Sequence, residues 1–309
     1  MPLYLTEEDI EALLSIGDAL EAVEGSFRRQ AAGEIENRPR YRLPLEGGQL
    51  AVMAAVDLGL GVAGVKTYAA GPDGAAFVLM LFDAVAHETL AVIEADALGR
   101  LRTGAASGVA AKYLARENAR SLGVIGCGRQ AETQVAAVRA ALPDIESTVV
   151  FCRDEARRAE FALRMDAEPA ESHKEAAEQD VVVTITTSKD PVLRGEWLQP
   201  GALVCAAGAN LPRRRELDNA VLERAAFVCC DSKEDARVES GDLIEPVTQG
   251  VLDWLEVHEL AEVVAGDVRG RQSDDDVIVF KSNGIAAWDV AVGAAAVVRA
   301  RERSFGRDL

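Results

Sequence analysis

SLGVIGCGRQAETQVAAVRAAL, residues 121–142, carries a strand-like apolar string, a glycine loop and a helical window in one unbroken run. Gly126 and Gly128 follow directly on the apolar string, and Ala131 completes GxGxxA, the form of a dinucleotide fingerprint. The first glycine permits a tight turn, and the second lets the backbone approach a pyrophosphate. The N-terminus of the next helix then presents free N–H groups to the anion. A bare glycine pattern recurs by chance, but here strand, loop and helix stand in the order that phosphate binding requires.

Downstream of this run, apolar strings keep alternating with amphipathic windows: STVVFC before DEARRAEFALRM, then DVVVTIT, ALVCAAG, AFVCCDS and VIVF. That alternation predicts a doubly wound parallel sheet, so residues 119–284 are expected to form a Rossmann domain. Upstream the pattern differs. Residues 6–34 read as two helices, with Thr6 capping EEDIEALL and Ser15 capping IGDALEAVEGSFRRQ. After Pro39, RYRLPL, QLAVMAAV and GVAGVKTYA are short β-rich strings, and AFVLMLFDAVAHETLAVIEA reads as a hairpin, giving an antiparallel sheet. Residues 95–116, rich in Ala and Gly, suit a tightly packed helix. The last window, GIAAWDVAVGAAAVVRARER, is longer than the parallel sheet needs and is expected to return to the first domain. The fold class is α/β: a Rossmann doubly wound sheet plus a discontinuous α+β domain made of residues 1–118 and 285–309.

Composition narrows the partners. The 309 residues suggest two domains, and 49% hydrophobic with 27% charged residues is ordinary globular usage. A net charge of −18 excludes nucleic acid and anionic membrane as expected partners, because both need attraction to phosphate. A small molecule is the expected partner. The start, MPLYLTEEDIEALL, has no basic segment followed by an apolar one, and no apolar stretch approaches a membrane span, so the expected compartment is the cytoplasm. Five cysteines form no CxxC pair and read as buried free thiols. The three histidines are not spaced as metal ligands, so no metal is expected.

The strand that should read the adenosine ribose ends in FCRDEARR, with Cys152 at its end and Arg153 next. An acidic side chain there favours NAD(H); its absence among basic groups places NADP(H) ahead of NAD(H). Arg153 and Arg157 also read as solvated residues at a helix start, and Asp154 is in reach of a ribose hydroxyl. On the substrate side, alternation puts Arg40 and Arg42 on one face of PRYRLPL, and Lys66 sits among apolar neighbours in GVAGVKTY. A desolvated lysine moves toward a neutral pKa and can exchange protons. A lysine snorkelling from a sheet edge is the plainer alternative. Arg102 likewise interrupts a small-residue helix.

Together VKTY, RTGAASGVAAKYLAR, VIGCGRQAE, GEWLQPGALVCAAGAN, RRRELD, CDSKEDARVESGDL and FKSNGIAAWDVA make the chain resemble the ornithine cyclodeaminase/mu-crystallin family, over nearly its whole length. That family also contains an archaeal type of alanine dehydrogenase and ketimine or pyrroline-carboxylate reductases. The resemblance implies that the discontinuous domain is a dimerisation and substrate domain and that the protein is a homodimer. It implies that Arg40, Lys66 and Arg102 hold the substrate carboxylate, with Lys66 also exchanging a proton. Thr103, Gly126, Gly128, Arg129 and Gln130 would hold the cofactor phosphates, with Arg102 also among the cofactor-binding residues, and the strand-end position adds Cys152 and Arg153 at the ribose. Thr186, Ala207 and Ser282 would lie along the nicotinamide.

The chain departs from the family where the cyclodeaminases and alanine dehydrogenase carry an aspartate: here stands Asn210. A second cyclodeaminase acid appears as Ala51. An amide can exchange hydrogen bonds but cannot take a proton from an amine. The expected function is therefore an NAD(P)H-dependent oxidoreductase acting on the C–N bond of small imino or amino acids, with Lys66 and Asn210 as its candidate catalytic residues. An ornithine cyclodeaminase and a non-catalytic, crystallin-like dinucleotide binder are the alternatives. Asn210 reads equally as a substrate contact and as a turn cap before Pro212.

Overall fold

Two sheets organise the chain in the computed structural model, which describes residues 1–72 and 74–309. They belong to two compact units, one of residues 1–102 with 285–309 and the other of 103–284. The first division falls inside a helix, upstream of the 118/119 position expected from sequence. That helix is rich in small residues throughout, so nothing in its composition marks the change.

The first unit opens with β1 (Leu3–Leu5), α1 (Glu7–Leu13) and α2 (Ile16–Ala31). Thr6 and Ser15 begin these helices, each in a reciprocal capping box, with Asp9 and Asp18 respectively. Strands β2 (Ile35–Leu45), β3 (Gly48–Asp57), β4 (Val62–Gly71), β5 (Gly74–Asp83) and β6 (Thr89–Glu94) follow, then α3 (Asp96–Leu114), which crosses into the second unit. β2 to β6 pair antiparallel in sequence order, and β1 adds in parallel beside β6.

The second unit continues with β7 (Ser121–Ile125), α4 (Arg129–Ala141), β8 (Ser147–Phe151), α5 (Glu155–Arg164), β9 (Glu168–Pro169), α6 (His173–Ala177) and β10 (Val181–Thr184). After these come β11 (Leu203–Ala206), α7 (Asn219–Arg224), β12 (Ala225–Cys230), α8 (Lys233–Glu239), α9 (Gly241–Thr248), β13 (Val257–Glu259), α10 (Leu260–Ala265) and β14 (Val277–Lys281). Every pairing is parallel, in the order β13-β12-β14-β11-β10-β7-β8-β9. The chain steps from β7 outward to β8 and β9, then returns to the other side of β7 as β10. The strand order therefore reverses between β7 and β10, where ligands bind in open parallel sheets.

The last elements, α11 (Ala286–Arg303) and β15 (Arg307–Asp308), return to the first unit, and β15 pairs antiparallel with β1. Glycines on both partners let α11 lie close on the sheet. A Cβ on Gly64 of β4 would come 2.7 Å from Val290, and one on Gly293 of α11 would come 2.7 Å from Leu79. Trp288 meets Phe27 of α2 edge-on at 5.3 Å, tying the two helices together. No helix among the described residues is long and apolar enough to cross a membrane.

Candidate active site

Lys66 lies in the middle of β4, hydrogen-bonded on both sides, between Met53 of β3 and Leu79 of β5. It therefore does not snorkel from an edge. Strand alternation turns it into the core, and it is 3% exposed; Arg40 is 6% and Arg102 7% exposed. Arg42, two residues from Arg40 on the same face of β2, is half-buried. Gly99 of α3 leaves room for the lysine tip, since a Cβ there would stand 3.1 Å from Nζ.

The group that gathers these cations was not foreseen. Asp289, on α11, accepts a hydrogen bond from Lys66 Nζ at 2.8 Å and one from Arg102 Nε at 3.1 Å, both on Oδ1. Its Oδ2 is buried without a hydrogen-bond partner. The sequence held one usable signal: a single acid in the otherwise apolar run IAAWDVAVGAAAVV, which no amphipathic pattern requires. Burial drives the Lys66 pKa down to about 8; Asp289 opposes this, while Arg102 and Arg40 add to it. Lys66 also stands 5.7 Å from the Phe77 ring centre, and Arg102 5.9 Å from that of Trp288. A buried cluster of three cations and one carboxylate is suited to hold a small anion beside an amine that titrates near neutrality.

In the second unit, a cavity of about 380 Å³ opens at the carboxyl ends of β7, β8 and β10. Gly126 and Gly128 form its floor. Gly126 has φ +121°, and a Cβ there would meet the Ile185 carbonyl oxygen at 2.3 Å, so only glycine fits the turn. A Cβ on Gly128 would meet nothing within 4 Å. Gly128 is also the N-cap of α4, with no side-chain cap, and Arg129 and Gln130 stand exposed in the first turn. Open space over a helix N-terminus fits a pyrophosphate. Thr103 is buried against α4, its carbonyl accepting from Gln134 Nε2 at 3.2 Å.

Cys152, Arg153, Asp154, Arg157 and His173 line the same cavity at the end of β8. Asp154 caps α5, accepting from the Arg157 N–H at 3.0 Å, so this carboxylate is committed to the helix start. Arg153 and Arg157 are exposed and supply positive charge. The His173 pKa is lowered by burial and then by Arg153. Burial and the hydrogen bond with Cys152 push the Cys127 thiol far up, so it stays protonated.

Thr186 and Ser282 meet buried acids, and Ala207 is held by a backbone hydrogen bond. Glu216 accepts from Thr186 N and Oγ1 at 2.7 and 2.8 Å, from Thr184 Oγ1 at 3.1 Å, and from the N–H groups of Gly208 and Ala209 at 2.7 and 3.1 Å. One carboxylate thus joins the loops after β10 and β11; its burial pushes its pKa up, and nearby Lys281 opposes the rise. Ala207 donates its N–H to the Thr184 carbonyl. Asp231 Oδ2 accepts from the N–H groups of Asn283 and Gly284, both at 2.7 Å, and lies 3.5 Å from Ser282 Oγ. Asn210 is half-buried in the loop after β11, beyond Ala209.

The family model described as the ornithine cyclodeaminase/mu-crystallin family matches residues 2–304. The chain belongs to that family. An alanine dehydrogenase of Archaeoglobus fulgidus is 37% identical over 319 residues, covering 99% of this chain and 98% of that protein. The solved Δ1-pyrroline-2-carboxylate reductase of Thermococcus litoralis, in complex with NADH and L-proline, is similar at TM-score 0.94 and 31% identity, over 99% of this chain and 100% of that one. A solved archaeal alanine dehydrogenase dimer with bound NAD matches at TM-score 0.94 and 34% identity, over 100% of this chain and 98% of that one. Ala51 is fully buried in β3 and offers no titrating group.

Proposed function

We infer that the chain is an NAD(P)H-dependent oxidoreductase acting on the C–N bond of small imino and amino acids. The observation that carries this is the buried Lys66–Arg102–Asp289 cluster beside Arg40, in a chain whose other unit has an open phosphate loop. Bound on that loop, a reduced nicotinamide dinucleotide supplies a hydride. Arg40 and Arg102 hold the substrate carboxylate, and a planar guanidinium fixes it in orientation as well as place. Lys66, as the ammonium, gives a proton to the substrate nitrogen while its C=N bond is reduced. The sum is imine plus reduced dinucleotide plus one proton giving amine plus oxidised dinucleotide. In reverse, neutral Lys66 removes that proton. Burial of Lys66 excludes water from this exchange and keeps its pKa low enough for both directions.

Asn210 serves imine reduction as a hydrogen-bonding group, since that reaction needs a carboxylate clamp and one proton donor. NADP(H) is the cofactor we favour over NAD(H), because Arg153 and Arg157 line the ribose end while Asp154 is occupied as a cap. A homodimer is favoured by the sheet face opposite α11. There Ala54, Val65, Met80 and Val92 form one cross-strand row that is apolar yet only half-buried.

Cofactor oxidation should appear with cyclic 2-carboxylate ketimines, or with 2-oxo acids plus ammonia or methylamine. Absence of oxidation across that panel would overturn the reading. Lys66→Met should remove turnover and leave dinucleotide binding intact. Ornithine conversion to proline and ammonia with no net change in the absorbance of the reduced nicotinamide would instead mark a cyclodeaminase.

A further inference from the structure

Asp289 reaches the cation cluster from an element 223 residues beyond Lys66. We propose that Asp289 is the positioning residue of this site: its carboxylate fixes Lys66 and Arg102 on one oxygen and keeps Lys66 protonated for delivery to the substrate nitrogen. The proposal rests on the reading of Lys66 as the proton donor. The groups facing Lys66 are Asp289 from α11, Arg102 from α3, Arg40 from β2 and the Phe77 ring from β5, with Met53 and Leu79 as its strand neighbours. Desolvation and two guanidinium groups all favour the neutral amine; Asp289 is the one acid among these groups and favours the ammonium, with the face of the Phe77 ring adding to it.

Geometry separates this role from simple packing. Both cations converge on Oδ1, which sets the spacing between the proton donor and one arm of the carboxylate clamp. Oδ2 is left buried and unpartnered, a costly arrangement for a carboxylate that only joined a helix to a sheet. An aliphatic side chain would pack α11 on the sheet without that cost. The carboxylate also lowers the net charge of the cluster from three positive to two, so that the site remains cationic and attracts a substrate acid.

The test reads Lys66 directly. The chain has only six lysines, so selective 13Cε-lysine labelling gives a resolvable NMR titration, with Lys66 assigned from the Lys66→Met spectrum. Wild-type Lys66 should titrate near pH 8. In Asp289→Asn its midpoint should fall by about 1–3 units, and in Asp289→Glu it should return toward the wild-type value. The matching limb of the kcat/KM profile for imine reduction should move with it. An unmoved Lys66 midpoint in Asp289→Asn would overturn the proposal. Should that variant fail to fold, wild-type protein labelled at aspartate 13Cγ decides: the Asp289 resonance must inflect at the Lys66 midpoint, and a flat response there counts against the pair. If the midpoint shifts as expected but wild-type protein reduces no imine, Asp289 still positions Lys66 and the imine-reduction reading is what fails.

Discussion

At the scale of single residues, the proposed chemistry turns on one lysine whose surroundings disagree about its charge. Because its pKa lies near 8, the ammonium predominates below that pH and the free amine above it. Reduction uses the ammonium, so kcat/KM for imine reduction should fall as pH rises through about 8. Oxidation of the amine uses the free base, so kcat/KM in that direction should rise through the same region; initial-rate profiles in both directions check this. Profiles that move together would remove Lys66 from the proton-transfer role. A second residue-scale expectation concerns Arg153 and Arg157. A charge-assisted hydrogen bond contributes about 1.5–3 kcal/mol, so the double alanine variant should raise KM for NADPH by tenfold or more while changing KM for NADH little. Equal effects on the two cofactors would show that neither arginine meets a 2′-phosphate.

At the scale of elements, the turn from β7 into α4 contains two glycines that are needed for different reasons. Gly126 is needed by the fold: its positive φ and its approach to the Ile185 carbonyl leave no place for a side chain. Gly126→Ala should cost roughly 2–4 kcal/mol in denaturant unfolding. Gly128 has an ordinary backbone conformation, φ −85°, and open space where its Cβ would go. Gly128→Ala should therefore change stability by less than about 1 kcal/mol yet weaken dinucleotide binding strongly, as read by fluorescence titration. Equal losses of stability would contradict the geometry. Elements β9 and β13 escaped sequence reading for a related reason. Glu168–Pro169 and Val257–Glu259 are too short and too polar to show periodicity, and they are strands only because a finished sheet edge offers them partners.

At the scale of the whole molecule, the apolar but half-buried row Ala54, Val65, Met80 and Val92 is the feature that a second copy would cover. A charge placed in that row would be desolvated on association. Met80→Asp should shift the proposed dimer to monomer in sedimentation while leaving the far-ultraviolet circular dichroism unchanged. A dimer of undiminished stability would move the interface elsewhere.

By itself, the sequence determined the longer elements and their order, because periodicity, caps and glycine turns are local properties. It marked the candidate phosphate loop for the same reason: a strand, two glycines and a helix start all lie within a few residues. It also singled out Lys66, since a cation in an apolar string is visible without any partner, and the family resemblance set Arg40 and Arg102 beside it. Tertiary structure alone decided what those cations face. Asp289 is joined to Lys66 only because α11 returns across the sheet, and Glu216 binds the loops after β10 and β11 only because parallel strands bring their ends together. Hydrogen bonds between residues far apart in the chain leave no periodic trace in it. The pKa of Lys66 is set first by its burial and then by the contact with Asp289, so it was settled by the fold and not by the segment that carries it.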